Sequence, residues 1–400
     1  MSGQVPGNIT LLHKLVSLDM SLNQFTLEPH VLNNLLRNST NLEKLSLINV
    51  NISSILPSSL NISSSLKFLN LSNTGLHGEL PHYIFNLRSL ETLDLSYNSF
   101  TGNIPLEISL LPKLVYIDLS RNGFDNLRIQ PRVFENLLKN STLLRYISLY
   151  QVNIGSVLPS YLNLSSIKSL DLSFTNLQGN LPDNIFHLKY LELLDLSENN
   201  LTGPLPSKLF TLPYLQTIRL NGNMFSGNVP FDSFSLPSLK VLRLSSNQLT
   251  GHIDVHKFRK LPNLTVLDIS FNNFIGDWEL DTLLKSLTNL EYLDLSYSGF
   301  SVVTTKNANH FVNPGFLILK LASCKLKAFP ESLRLMPNIM LLDLSSNEIK
   351  GQVPHWVGEL GSYMWSRRKL VEELSLCANL TKGHRPPSLL ILDASFLYYI

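Results

Sequence analysis

Carboxylates recur in this sequence in an arrangement that could support chemistry. Aspartates stand at the same place in a series of similar stretches: Asp94, Asp118, Asp171, Asp195, Asp268, Asp294 and Asp343. Two carboxylates held close together could act as a general acid and a general base. Because each aspartate occupies the same place in its own stretch, we interpret the series instead as one polar position repeated on successive strands.

Two arginines, Arg219 and Arg243, interrupt the aspartate series between Asp195 and Asp268. Guanidinium groups on neighbouring strands could hold a ligand carboxylate through paired hydrogen bonds. Neutralisation of the nearby aspartates by the same arginines is an equal alternative.

Aromatic residues at outward strand positions point to a binding surface. One group is Tyr97, Tyr116, Tyr146, Tyr150 and Phe174, and a second group is Phe271, Tyr292 and Tyr297. Aromatic side chains presented on a rigid sheet are typical anchors of protein interfaces. The alternative is that these residues were selected only for their strand propensity. We predict a ligand-binding surface built from both aromatic groups together with the two arginines.

Motifs of catalysis and metal binding are missing from the sequence. It contains no GxSxG, HExxH, P-loop or kinase signature, and its ten histidines and two cysteines do not cluster. We therefore predict that the chain is not an enzyme and uses no cofactor or metal. Its net charge of +2, with 16% charged residues, also argues against a nucleic-acid partner.

A repeated unit must position all of these residues. The pattern LxxLxLxxN is centred on Leu18, Leu45, Leu69, Leu93, Ile117, Ile147, Leu170, Leu194, Ile218, Leu242, Leu267, Leu293, Leu319 and Leu342. Apolar and polar residues alternate there as in a strand with one buried face, and that face is buried only when units stack. The pattern predicts an α/β solenoid with a concave parallel sheet of about fourteen strands and a convex side of loops and 3₁₀ turns.

Each unit ends in a turn with its own signature. Asn98 follows a strand, and we expect its amide to bond to backbone groups of neighbouring units. Small residues such as Thr74 and Cys324 replace it elsewhere, whereas Val50 and Val152 lack the amide. A Gly-x-Ile-Pro ending such as "FTGNIP" then follows, and we expect a bend there.

One block of units has been copied within the chain. Residues 31–64 return with substitutions as residues 133–166, at an offset of 102 residues. Both copies carry the longest intervals between strand centres, 27 residues before Leu45 and 30 before Ile147, against 23 to 26 elsewhere.

The ends of the sequence are less regular. "MSGQVP" corresponds to the ending of a repeat, so we expect the array to begin inside a unit and the chain to be a piece of a longer protein. We divide the chain into an array of about fourteen units at 1–361 and a degenerate repeat-like tail at 362–400. Neither a signal peptide nor a membrane-spanning stretch is recognisable in it.

The form LxxLxLxxNxLxGxIP resembles the plant-specific subclass of leucine-rich repeats. "NLLRNSTNLEKLSLINVNIS", "LDLSYNSFTGNIP" and "PPSLLILDAS" are similar to the ectodomains of plant leucine-rich-repeat receptor-like proteins, among them the tomato proteins that confer resistance to leaf mould. The resemblance covers residues 1–361 well and 371–395 weakly. It implies a leucine-rich-repeat solenoid on the extracellular side of the plasma membrane that perceives a peptide or protein ligand and signals through a receptor-kinase co-receptor.

Ten Asn-x-Ser/Thr sequons agree with secretion. They are Asn8, Asn38, Asn51, Asn61, Asn70, Asn140, Asn163, Asn200, Asn263 and Asn379. Two other interpretations stay open beside the receptor fragment: a secreted inhibitor of a microbial wall-degrading enzyme, and a truncated gene product without a function of its own.

Overall fold

A long parallel sheet organises the molecule. The computed structural model describes residues 2–58, 65–123, 126–304, 313 and 315–359. In that part of the chain, fourteen strands pair in sequence order. The strands are Ser17–Asp19, Lys44–Ser46, Phe68–Asn70, Thr92–Asp94, Tyr116–Asp118, Tyr146–Ser148, Ser169–Asp171, Leu193–Asp195, Thr217–Arg219, Val241–Arg243, Val266–Asp268, Tyr292–Asp294, Ile318–Lys320 and Leu341–Asp343.

The register of this sheet is the one that the repeat predicts. Each central leucine or isoleucine pairs with the next one, as Leu93 does with Ile117 and Ile147 with Leu170. Both copies of the duplicated block keep this register, because Leu45 and Ile147 occupy the same place on their strands. The solenoid fold is therefore confirmed. The predicted boundary at residue 361 lies outside the described residues and stays a prediction.

A second set of strands flanks the main sheet, and the sequence did not predict it. These strands are Ser2–Gln4, Gln24–Thr26, His77–Glu79, Ser99–Asn103, Leu127–Arg128, Gln178–Asn180, Asn200–Gly203, Met224–Asn228, Gln248–His252, Asn273–Ile275, Asp277–Glu279 and Ser301–Val303. They form short parallel sheets from the endings of the units, many of which contain glycine, where loops had been expected. The bend at Gly102 is present, since its φ is +79°.

Helices cover the convex side. The α-helices in the described ranges are Pro29–Asn38, Pro131–Asn140 and Leu280–Ser286. The 3₁₀ helices are Gly7–Leu11, His82–Asn86, Leu106–Leu110, Asp183–His187, Ser207–Thr211, Phe231–Ser233, Val255–Lys260, Glu331–Leu335 and His355–Glu359. The 3₁₀ turns were predicted and the α-helices were not. The two ten-residue α-helices occupy the two longest intervals, where extra residues make room for α-helical turns.

The core is one continuous stack of apolar side chains between these layers. Leu93 and Leu95 are fully buried, as are Phe100 and Phe225 from the flanking strands. Cys324 is also buried, and burial raises the pKa of its thiol to about 12. That thiol donates to the Leu295 carbonyl across 3.3 Å, so Cys324 is a structural thiol at a turn position.

Turn asparagines tie consecutive units together through their backbones. The Asn98 amide nitrogen donates to the carbonyls of Leu71, Leu95 and Ser96, at 2.8 to 3.1 Å. Its side-chain oxygen accepts hydrogen bonds from the backbone of Thr74 and Leu76. The predicted role of these residues is confirmed.

Candidate functional site

Three outward positions of each unit form columns along the main sheet. Strand alternation turns Thr92 and Asp94 outward while Leu93 faces the core, so we call these positions the entry column and the centre column. The third position, that of Tyr97, lies just beyond the strand, and we call it the rim column. Neighbouring members of a column lie about 4.8 Å apart because parallel strands have that spacing.

The rim column has a backbone conformation of its own. All fourteen of its residues, one for each strand of the main sheet, have φ between 50° and 66°. They are Leu22, Asn49, Asn73, Tyr97, Arg121, Gln151, Phe174, Glu198, Gly222, Ser246, Phe271, Tyr297, Ser323 and Ser346. A side chain at such a left-handed position costs about 1 kcal/mol or more relative to glycine. Strand propensity therefore gives no reason for tyrosine or phenylalanine at the rim.

One aromatic row, which we call the rim row, follows the rim over four consecutive units. It contains the rim residues Tyr97, Arg121 and Phe174, together with Tyr150, which stands one position before the rim residue Gln151. The guanidinium of Arg121 lies 4.9 Å from the ring centroids of both Tyr97 and Tyr150. Tyr150 also meets Phe174 edge to face at 5.5 Å. Tyr97 is 52% exposed and Phe174 is 37% exposed, so the row presents ring surface to solvent. Sequence reasoning missed Arg121, although its position just before a turn asparagine marks it as a rim residue.

Tyr116 and Tyr146 form a separate pair in the entry column. Their rings stack at 4.3 Å between centroids with an interplanar angle of 5°. Both rings are half-buried, and burial raises the pKa of the Tyr146 phenol to about 12. The first aromatic group is thus divided between the rim row, with Tyr97, Tyr150 and Phe174, and the entry column, with Tyr116 and Tyr146.

The second aromatic group is only partly brought together. Phe271 and Tyr297 stack on the rim at 5.1 Å and are 54% and 44% exposed. Tyr292 lies in the entry column and is buried beside Arg243 and Lys320, whose charged groups lie 5.7 and 5.5 Å from its ring centroid. Tyr292 therefore does not present a free ring surface, and its prediction as an exposed anchor is wrong.

The two arginines occupy neighbouring places in the centre column, as predicted. Arg219 and Arg243 pair in register. Arg219 forms an ion pair with Asp195 at 3.4 Å, whereas Arg243 forms no ion pair with another described residue. The Nε atoms of both arginines are buried and lack a hydrogen-bond partner within the described residues. Arg219 thus neutralises Asp195, and the Nε–H groups of both arginines are left without an acceptor among the described residues.

Two carboxylates of the centre column are poorly compensated. Burial raises the pKa of Asp118 and of Asp171 to about 6 each, and the neighbouring Asp195 adds to the effect at Asp171. No lysine, arginine or histidine in the described ranges forms an ion pair with either carboxylate. Asp19, on the first strand of the main sheet, has a lowered pKa instead, because Ser21 and Lys44 donate hydrogen bonds to its carboxylate.

These shifts predict a pH dependence of stability. A carboxyl whose pKa is raised by folding stabilises the fold below its ordinary value near 4, and this contribution is lost as the pH rises toward 6. We expect Asp118→Asn to increase the free energy of unfolding at pH 7 by about 1 to 3 kcal/mol, and to leave it nearly unchanged at pH 4. Urea unfolding at both pH values measures this.

Asp19→Asn is the matched control for that experiment, because the pKa of Asp19 is lowered. It should reduce stability at pH 7 and have a smaller effect at pH 4. Ser120 donates its backbone N–H to Asp118 at 2.9 Å, but no described cation pairs with this carboxylate. A loss of stability at pH 7 in Asp118→Asn would contradict the account of a buried carboxylate without a cationic partner.

The described sequons lie mostly away from the outward sheet face. Asn8, Asn38, Asn51, Asn140, Asn200 and Asn263 are exposed, and Asn163 is half-buried. Asn70 lies in the centre column, is 7% exposed and donates to Asp94 at 2.9 Å, so the folded chain has no room for a glycan there. Asn61 and Asn379 lie outside the described residues.

The described part of the chain contains neither a cluster of metal ligands nor a membrane-spanning helix. No group of three or more His, Cys, Asp or Glu residues there is arranged to hold a metal ion. No helix in those residues has the length and apolar character needed to cross a membrane.

Comparisons with known proteins agree with this architecture. The family model described as a leucine-rich repeat region matches residues 137–362, and that of a single leucine-rich repeat matches 65–87 and 89–111. Receptor like protein 24 of Arabidopsis thaliana is 34% identical over 101 residues, which are 25% of this chain and 12% of that protein. Receptor-like protein 9DC1 of Solanum pimpinellifolium is 52% identical over 63 residues, 16% of this chain and 7% of that protein.

A solved structure covers more of the fold. The Arabidopsis receptor kinase HAESA, in complex with the peptide hormone IDA and the co-receptor SERK1, superimposes with a TM-score of 0.68 at 28% identity. The similarity covers 90% of this chain and 63% of the HAESA chain. The chain thus spans only a small part of the two receptor-like proteins and less than two thirds of the receptor kinase.

Proposed function

Because this chain belongs to the leucine-rich-repeat family and is similar to plant receptor-like proteins, we propose that it is the ligand-binding part of a cell-surface receptor-like protein. It senses a peptide or protein ligand on the extracellular side of the plasma membrane. By family resemblance, it signals through a receptor-kinase partner. The HAESA complex, which contains both a peptide hormone and a co-receptor, supports a ligand of this class.

The aromatic rim carries this proposal. Tyr97, Phe174, Phe271 and Tyr297 stand at left-handed positions, where a ring adds backbone strain and does not fill the core. Their rings are nevertheless exposed and arranged in contact with other rings or with Arg121. Exposed rings held rigidly in this way lose little conformational freedom when a partner covers them. The left-handed backbone and the exposure of the rings support ligand contact, rather than strand propensity, as the reason for their presence.

The arginine pair supports a more specific contact. Arg219 and Arg243 stand side by side, and each has a buried Nε without a partner in the described residues. A carboxylate of the ligand would accept charge-assisted hydrogen bonds from these Nε–H groups. We therefore include both arginines in the proposed ligand-binding surface.

We expect loss of the rim rings to weaken ligand binding without unfolding the chain. The test uses Tyr97→Gly together with Phe174→Gly, because glycine fits the left-handed backbone of the rim. As the probe, we suggest the tightest binder selected from a displayed library of random peptides against the full chain. Its Kd, measured by calorimetry, should rise at least about tenfold, since truncated aromatic anchors typically cost 2 kcal/mol or more.

A second pair of tyrosines provides the control. Tyr190 and Tyr214 stack at 6.3 Å and are exposed, but they precede the strands and lie outside the three columns. Tyr190→Ala with Tyr214→Ala should leave the Kd within about twofold. The proposal would be contradicted if the Kd rises in the control variant and stays unchanged in the glycine variant, because the binding surface would then lie elsewhere.

A further inference from the structure

The centre of the sheet holds a polar patch that resembles two other sites in the same molecule. We define the acidic patch by Tyr116, Asp118, Tyr146, Ser148 and Asp171. Asp118 and Asp171 are the register partners of Ser148 on either side, so two carboxylates flank one small hydroxyl. Tyr146 lies in the entry column beside Ser148, and after burial both carboxylates also contribute to the raised pKa of its phenol.

The first comparable site lies further along the chain. Tyr292 and Asp294 stand in the same columns as Tyr116 and Asp118. There the next strand supplies Lys320, whose Nζ lies 3.5 Å from the Asp294 carboxylate and 3.3 Å from the Tyr292 hydroxyl. Ser148 is the register equivalent of Lys320, so the acidic patch has the tyrosine and the aspartate but not the ammonium group.

The second comparable site is in the other copy of the duplicated block. Lys44 is the equivalent of Tyr146, and its Nζ lies 3.0 Å from the Asp19 carboxylate and 5.4 Å from the Phe68 ring centroid. Lys44 and Lys320 thus each bring an ammonium group to a carboxylate and a ring at these sheet positions. In the second copy the lysine has become Tyr146, and Asp118 forms no ion pair with the residues that the structure describes.

Resting on the proposed function, we infer that the acidic patch binds a basic side chain, lysine or arginine, of the peptide or protein ligand. The ligand's cation would take the place that Lys320 and Lys44 occupy at their own sites. An ammonium or guanidinium group would contact both carboxylates and the tyrosine rings, which attract cations as well. The rim row, next to the patch, holds the adjacent apolar part of the same ligand.

The test is a selection followed by a double-mutant cycle. The probe is a displayed library of random peptides, selected on the full chain. Because the chain itself carries a net charge of +2, overall attraction does not favour basic peptides. We expect the selected peptides to share a lysine or arginine. The Kd of such a peptide should rise at least tenfold in Asp118→Asn with Asp171→Asn.

Asp268→Asn with Asp343→Asn is the matched control, since it removes the same charges from the same column outside the patch. It should change the Kd by less than about threefold. Replacing the peptide's lysine by norleucine, or its arginine by citrulline, should weaken binding to the wild type but have little further effect on the patch variant. This non-additivity reports a direct contact.

The alternative outcomes separate the two proposals. Selected peptides without a basic residue, or with affinity unchanged in the patch variant but lost in Tyr97→Gly with Phe174→Gly, would overturn this inference and leave the proposed function standing. Peptides insensitive to both variants, or a selection that retains no sequence, would overturn both. Thermal melting of each variant by circular dichroism verifies that the chain is folded.

Discussion

Asn98→Ala should lower the free energy of unfolding by about 4 kcal/mol, one of the two largest effects that we expect for a single substitution here. The buried amide nitrogen of Asn98 donates to the carbonyls of Leu71, Leu95 and Ser96. Its side-chain oxygen accepts hydrogen bonds from backbone N–H groups of the preceding unit. Alanine leaves these groups buried without a partner, at about 1 to 3 kcal/mol for each group that water does not reach. Urea unfolding at constant pH measures the loss.

Asn103→Ala is the control for this experiment. Asn103 is five residues further along and exposed, so its replacement should change stability by no more than about 0.5 kcal/mol. Equal effects of the two substitutions would contradict the role given to the turn asparagines in joining neighbouring units.

Gly299→Ala should be almost as damaging, with an expected loss of about 3 kcal/mol or more. The glycine has φ +94°, where an L side chain is strained, and an added Cβ would overlap the backbone carbonyl of Phe274 in the preceding unit. The Phe274 carbonyl is part of the backbone, so it cannot rotate away from the added Cβ as the end of a flexible side chain could. Relief would require a shift of the Phe274–Phe300 stack, whose ring centroids lie 5.1 Å apart.

Gly227→Ala separates the two causes of that loss. Gly227 also has a left-handed φ, +74°, but an added Cβ would meet no atom within 4 Å. It should therefore cost only the conformational penalty, about 1 to 2 kcal/mol. If both substitutions lower the free energy of unfolding in urea by the same amount, the close approach of the Phe274 backbone is not the reason that position 299 requires glycine.

The main sheet could be predicted in detail because a single physical requirement repeats. Leu93 and Leu95 must both face the core, and the polar residues between and beside them must then face out. The turn position tolerates different residues for the same reason. Asn98, Thr74 and Cys324 all form a hydrogen bond to a buried backbone carbonyl there.

The flanking strands were missed because their sequences carry little strand signal. Ser99–Asn103 reads SFTGN, with a glycine and few branched residues. It becomes a strand only by pairing with His77–Glu79 of the preceding unit, a contact that no local pattern encodes. The ten-residue α-helices had a better signal, since the long intervals before Leu45 and Ile147 were visible in the sequence.

The outward residues of the candidate site were identified, but their contacts were not. Alternation placed Tyr116 and Tyr146 correctly on the sheet face, and stacking follows from their register. The same alternation could not reveal that Tyr97 lies beyond the strand with a left-handed backbone, nor that Arg121 fills the space between rings. The covering of Tyr292 depends on long side chains reaching across strands, and sequence spacing does not report such reach.

The shared register of the duplicated block bears on how genes of this kind diversify. Because residues 31–64 and 133–166 occupy equivalent places in one continuous sheet, misaligned pairing of two alleles and a crossover within these copies would add or delete 102 residues in frame. The recombinant would keep the apolar character of the core positions, since Leu45 is replaced by Ile147 at the same place on the strand. A deletion product whose crossover precedes Lys44 would place Tyr146, in place of Lys44, beside Asp19. Unequal recombination can thus produce a new combination of outward residues in a single event. The repeat register is kept, so the product does not depend on an intermediate sequence that fails to fold.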